Sequence, residues 1–200
     1  MKFQIATAAL AATAAAAPNL RVIRQNNGTV PDGTPFNMVS IRSGSNLQYA
    51  SFSAEQGGLG LNVKEQGATC SNGAEREYAT FFLSQGELNL YTPGNVTQKL
   101  YVDRSGMGQG VLGYTTSPGG YGPGRNSETK GWVIDQYGDL TFAGAGFLAC
   151  PSFDGAYSVW VSAGVAAPGG ISNCTGIAVR TTVANEPVAC TYSYTPATKY

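Results

Sequence analysis

The chain has 200 residues, 27 of them glycine, with only 12% charged, which suits one domain whose core is large enough to fold alone. Twelve basic and twelve acidic residues cancel with no basic stripe, so nucleic acid is not an expected partner. Histidine is absent, which removes Ser-His-Asp and Cys-His catalysis and His-ligated metal sites together.

The chain opens MKFQIATAALAATAAAAPN, one lysine followed by an alanine-rich apolar run. Residues 1–16 read as a secretory signal peptide, with Ala14 and Ala16 as the small residues of its cleavage site. The run is short and weakly apolar for a membrane span, and the C-terminal TPATKY lacks the hydrophobic tail of a lipid-anchor signal. No membrane partner is expected. Residues 17–35 form a polar lead-in, a single all-β domain is expected over 36–194, and 195–200 form a tail.

From Phe36 onward, short runs of Thr, Val, Tyr and Phe alternate with Gly, Pro, Asn and Ser, the pattern of strands joined by turns. A weak repeat of about fifty residues runs through them. Residues 47–63, 100–116 and 147–163 each read strand, glycine-bearing turn, strand. Each is followed by a second expected strand pair, at 79–91, 131–142 and 176–193. Three such units of four strands predict a β-trefoil-like closed arrangement of about twelve short strands, with a two-sheet β-sandwich as the alternative. The segment 117–124, SPGGYGPG, is an expected exposed loop.

Four cysteines, Cys70, Cys150, Cys174 and Cys190, imply two disulfides in a secreted chain, with three connectivities open. No pair has the CxxC spacing of a zinc site, and neither a metal nor a cofactor is expected. Sequons at Asn27 and Asn95 stand in polar, turn-like contexts and are the expected N-glycan acceptors. A third, at Asn173, has a half-cystine in its middle.

Paired carboxylates are the catalytic device still open, since glycoside hydrolysis needs two across one bond. Asp103, Asp135, Asp139 and Asp154 are the candidates, but Asp139 and Asp154 stand where aspartate serves turns, and Asp135 is expected on the polar face of a strand. Asp103-Arg104 reads as a structural ion pair or a contact to a sugar hydroxyl. Gly106 to Gly110 lacks the lysine and following helix of a phosphate loop. No serine sits in GxSxG. Aromatic residues give the best hint of a ligand: in Tyr157–Val161, alternation sets Trp160 between Ser158 and Ser162, where its face can receive a sugar ring. Tyr114, Tyr121 and Tyr137, in or near turns, extend that platform, and Asp103 completes the candidate carbohydrate-binding set.

The segments PFNMVSIRSGS (35–45), LYVDRSGMGQGVLGYTT (100–116), GWVIDQYGDLTF (131–142), GFLACPS (146–152) and YSVWVSAGVAAPGG (157–170) together resemble the fungal cell-wall PhiA family. The resemblance runs from Phe36 to Tyr192, with Asn46-Leu47-Gln48 diverged. It implies a secreted wall protein of phialide and conidium development, in a group that includes IgE-binding antigens, and it carries over no catalytic residue.

The expected function is therefore a non-enzymatic structural or developmental component of a fungal cell wall, touching wall polysaccharide or wall proteins. A lectin-like carbohydrate-binding module, a carboxylate-based glycoside-active enzyme and an effector presenting loop 117–124 are the competing readings.

Overall fold

A computed structural model describes residues 30–116 and 124–192. The expected signal peptide, Asn27, Tyr121, most of the 117–124 loop and the tail lie outside the described residues. The fold is all-β as the sequence predicts, and the first strand among the described residues starts at Phe36.

The first half of the chain holds β1 (Phe36–Ile41), β2 (Phe52–Glu55), β3 (Gly58–Leu61), β4 (Thr69–Cys70), β5 (Phe81–Ser84), β6 (Glu87–Leu90) and β7 (Gln98–Asp103). The second half holds β8 (Val111–Tyr114), β9 (Ser127–Glu128), β10 (Trp132–Ile134), β11 (Asp139–Phe142), β12 (Phe147–Pro151), β13 (Tyr157–Val161), β14 (Thr175–Val183) and β15 (Cys190–Thr191). Short 3-10 turns occupy Ser71–Gly73, Phe153–Gly155 and Pro168–Gly170.

Strand pairing runs through β14, β1, β5, β6, β7, β8, β13 and β12 and returns to β14, so the backbone ladder closes on itself. The β2–β3 hairpin joins this ring through β13, and the β10–β11 hairpin joins it through β14. Closure leaves the ring's own strands without a free edge, the usual template for aggregation. Alternation fills the interior: Phe36 and Met38 of β1, Leu88 and Leu90 of β6, Leu100 and Val102 of β7, and Ile177 and Val179 of β14 meet in one buried cluster. Trp132 packs there edge-on to Phe142 (4.8 Å between centroids) and stacked on Phe147 (6.2 Å).

The hairpin turns are chemically explicit. Gln56-Gly57 and Gln85-Gly86 both hold φ above zero at each of two central residues. That is the type I′ turn, whose twist matches the strands it joins, and glycine takes its second position without steric cost.

The pairing does not reproduce the expected three-fold repeat. The first two blocks each give two hairpins, β2–β3 with β5–β6 and β7–β8 with β10–β11. In the third, β12–β13 is a hairpin but 176–193 is not. There β14 is one unbroken nine-residue strand, its first three residues paired with β12 and its last six with β1, and β15 crosses to pair with β4, where the Cys70–Cys190 disulfide fixes it. Nor do two separate sheets face each other: thirteen strands form one connected network, with β4 and β15 apart from it.

Candidate functional site

The strand β14 alternates cleanly. Ile177, Val179 and Thr181 point into the core, while Gly176, Ala178 and Arg180 point outward. Gly176 pairs with Leu148 of β12, and Leu148 pairs with Trp160 of β13, so the indole belongs to the same outer row. From Gly176 to Arg180 the strand carries this face roughly 13 Å further, at about 3.3 Å per residue. Leu148, Gly176 and Ala178 thus lie between Trp160 at one end of the row and Arg180 at the other.

Trp160 is half-buried. Its Nε1 donates to the Ser158 hydroxyl (3.0 Å), and the turn Pro168–Gly170 sits against the six-membered ring. That turn is tied down where Gly169 N–H donates to Gln109 Oε1 (2.9 Å).

At the other end Arg180 makes a bidentate pair with Asp139, Nε to Oδ1 at 2.6 Å and Nη2 to Oδ2 at 3.3 Å. The pairing holds the guanidinium above its ordinary value against partial desolvation, with Asp135 and Tyr49 adding to the same effect. Asp135 opens the adjoining turn, accepting the N–H groups of Tyr137 (2.8 Å) and Asp139 (2.9 Å) on one oxygen. That turn presents Tyr137 at 69% exposure. Tyr49 is exposed to 70% from the loop after β1, where it holds φ of 63°. The loop is stitched back on Ser40, which accepts the Tyr49 N–H (2.9 Å) and donates its hydroxyl to the Leu47 carbonyl. A bulky residue in the left-handed region is strained and persists only where surrounding bonds hold it.

Of the candidate carbohydrate-binding residues, Trp160 stands in this outer row and Tyr137 in the turn beside its Arg180 end, Tyr114 and Asp103 do not, and Tyr121 lies outside the described residues. Tyr114 ends β8 fully buried, and burial pushes its hydroxyl up to about 12, so it presents no ring to a ligand. It stands at an inward position of its strand, which its nearness to a turn obscured. Asp103 caps a turn, accepting the Ser105 N–H on Oδ1 (2.9 Å). Its neighbour Arg104 pairs with Glu128 instead, at 2.8 and 2.6 Å, and lies 5.2 Å over the Phe142 ring. Asp135 follows the end of β10 rather than standing on it, and the exposed Asp154 carboxylate reaches Lys64 at 3.6 Å. The cysteines pair as Cys70–Cys190 and Cys150–Cys174. Asn95 and Thr97 are both exposed between β6 and β7. Tyr49 and Arg180 were missed, because an isolated tyrosine in a polar loop and one arginine on a strand carry no local signal. Among the described residues no group of three His, Cys, Asp or Glu is placed to hold a metal, and no helix is long and apolar enough to cross a membrane.

Comparison with known proteins settles the lineage. The family model described as PhiA-like secreted protein matches residues 36–193, nearly the whole described fold. The chain belongs to the PhiA-like family of secreted proteins. Named relatives agree along almost their full length. A protein called cell wall protein phiA from Emericella nidulans is 48% identical over 190 residues, covering 94% of this chain and 97% of the relative. The Aspergillus niger protein of that name is 48% identical over 80% of this chain and 85% of its own. Its Aspergillus fumigatus counterpart is 42% identical over 95% and 99%. No solved structure matches this PhiA-like chain.

Proposed function

We propose that this PhiA-like protein is a non-enzymatic component of the fungal cell wall that contacts wall polysaccharide through the outer face of β14. Its family and the wall proteins it is similar to support the wall assignment. The observation that carries the contact is the arrangement of that face. Trp160 stands at one end, the Arg180–Asp139 pair with the exposed Tyr137 and Tyr49 near it at the other, and Leu148, Gly176 and Ala178 between them. Aromatic rings cover the C–H faces of a pyranose, and a bidentate ion pair offers both donors and acceptors to its hydroxyls. The carboxylates once open to catalysis favour a structural reading. Asp103 and Asp135 cap turns, Asp139 holds Arg180, and Asp154 lies beside Lys64 in solvent.

The test is co-sedimentation of the purified glycoprotein with insoluble β-glucan, chitin and mannan, beside Trp160→Ala. Retention on one polymer that falls with the variant supports the reading. Equal recovery of both forms in every supernatant rejects it.

A further inference from the structure

The start of β2, the residues just after β3 and the loop before β5 form a cleft of 220 Å³ lined by Ser51, Ser53, Asn62, Val63, Glu77 and Tyr78. The geometry points to this cleft as a binding site for a single neutral pyranose unit, with a lining that shares no residue with the β14 face.

Size comes first. The volume equals about seven waters' share of the liquid and lies below the roughly 300–1,000 Å³ of sites for drug-sized ligands. One sugar ring is the scale of ligand it suits. The lining has matching chemistry: a phenol ring and the Val63 methyls give apolar surface for C–H groups, while hydroxyl, amide and carboxylate groups serve a rim of hydroxyls. The Glu77 carboxylate only accepts, so it takes hydroxyl protons and repels phosphorylated or acidic sugars.

The cleft is also built, as its walls are held by groups behind them. Buried Gln66 accepts the Ala54 N–H (3.2 Å) and donates to the carbonyls of Arg76 (2.7 Å) and Tyr78 (3.0 Å), pinning the 76–78 wall to β2. Buried Ser53 donates to the Glu77 carbonyl at 2.6 Å. Arg76 donates to the Tyr78 hydroxyl (2.9 Å) and fixes the ring's tip. On the opposite wall Asn62 holds φ of 55° and donates its amide to the Asn46 carbonyl (3.3 Å). Behind Val63, a Cβ on residue 60 would lie 2.5 Å from its Cγ2, so Gly60 makes the room that seats this side chain. Walls fixed before binding spare the ligand the cost of ordering them.

The test uses the full mature glycoprotein and soluble trisaccharides of β-1,3-glucan, chitin and α-mannan, with glucose 6-phosphate as the anionic control. Calorimetry or amide chemical shifts report binding. One neutral sugar is expected to saturate the site with a dissociation constant on the order of 1 mM. Glu77→Gln and Asn62→Gly, the latter suited to a positive φ, are expected to weaken it at least tenfold with unchanged melting temperature. The amide shifts of residues 62, 63, 77 and 78, which line the cleft, are expected to move on titration and so report this site apart from the β14 face. No saturation by about fifty times that concentration, or equal affinity in both cleft variants, overturns the site. Retention on insoluble polymer with no binding in the cleft would overturn this inference while leaving the β14 face standing.

Discussion

Gln98 and Tyr192, 94 residues apart, pair as two strand residues would. The Gln98 side chain donates from Nε2 to the Tyr192 carbonyl (2.6 Å) and accepts the Tyr192 N–H on Oε1 (2.7 Å). A buried amide thus replaces the ladder partner that the last described residue lacks. The Tyr192 hydroxyl reaches the Thr80 N–H (3.2 Å), so this residue is anchored at both ends inside the core.

Removing that clasp leaves two buried backbone groups unpaired. Gln98→Ala is expected to cost about 3 kcal/mol, measured by denaturant unfolding, since each orphaned group costs roughly 1–3 kcal/mol. Gln98→Glu sets a carboxylate against the Tyr192 carbonyl, and its deficit should shrink as pH falls and the acid regains a donor. A Gln98→Ala protein as stable as the parent would show that the clasp is incidental.

The two disulfides differ in what they close. Cys70–Cys190 spans 120 residues and Cys150–Cys174 spans 24. Loop-closure entropy assigns them about 5 and about 3.5 kcal/mol respectively. Replacing the first pair by alanine is expected to lower the unfolding midpoint more than replacing the second. The reverse order would mean that native-state contacts, not chain entropy, set the difference.

Alkali should unfold the protein through two tyrosines. Burial pushes both Tyr114 and Tyr192 up to about 12, against about 10 for a free phenol. A folded value above the unfolded one means the stabilisation is complete below about pH 10 and is lost as pH rises through about 12. Tyrosinate absorbance should therefore include a late step from Tyr114 and Tyr192 that coincides with loss of structure. A single step near the free value, with the fold intact, would contradict the burial.

Gly110 holds φ of 97° where β8 begins, and a Cβ there would lie 2.0 Å from the Val161 carbonyl oxygen, the atom row that joins β8 to β13. Gly110→Ala is expected to destabilise by more than about 3 kcal/mol. Gly106→Ala, with nothing within 4 Å of its Cβ, should be within about 1 kcal/mol of the parent. Thermal melts of the two variants separate them.

Much of the fold was legible because its signals are local. Alternation in β13 and the glycine-bearing turns gave five of the hairpins. Ring closure was not, because it rests on long-range pairings such as Phe147 with Ile177 and Cys70 with Cys190 that no window contains. The same limit governed the sites. Trp160 and Tyr137 announced themselves as aromatics in polar settings, but Tyr114 has the same local look and is core. Tyr49 and Arg180 gain meaning only when β1, β11 and β14 come together.

The central claim is polysaccharide contact through the β14 face, and the most direct measurement is a binding isotherm on the retained wall polymer for the parent and a Tyr49→Ala/Tyr137→Ala protein. Both rings are exposed, so the variant should melt like the parent. At about 1 kcal/mol per lost ring contact, its affinity should fall roughly thirtyfold. Unchanged affinity with the fold intact would contradict the account and move the contact elsewhere on the molecule.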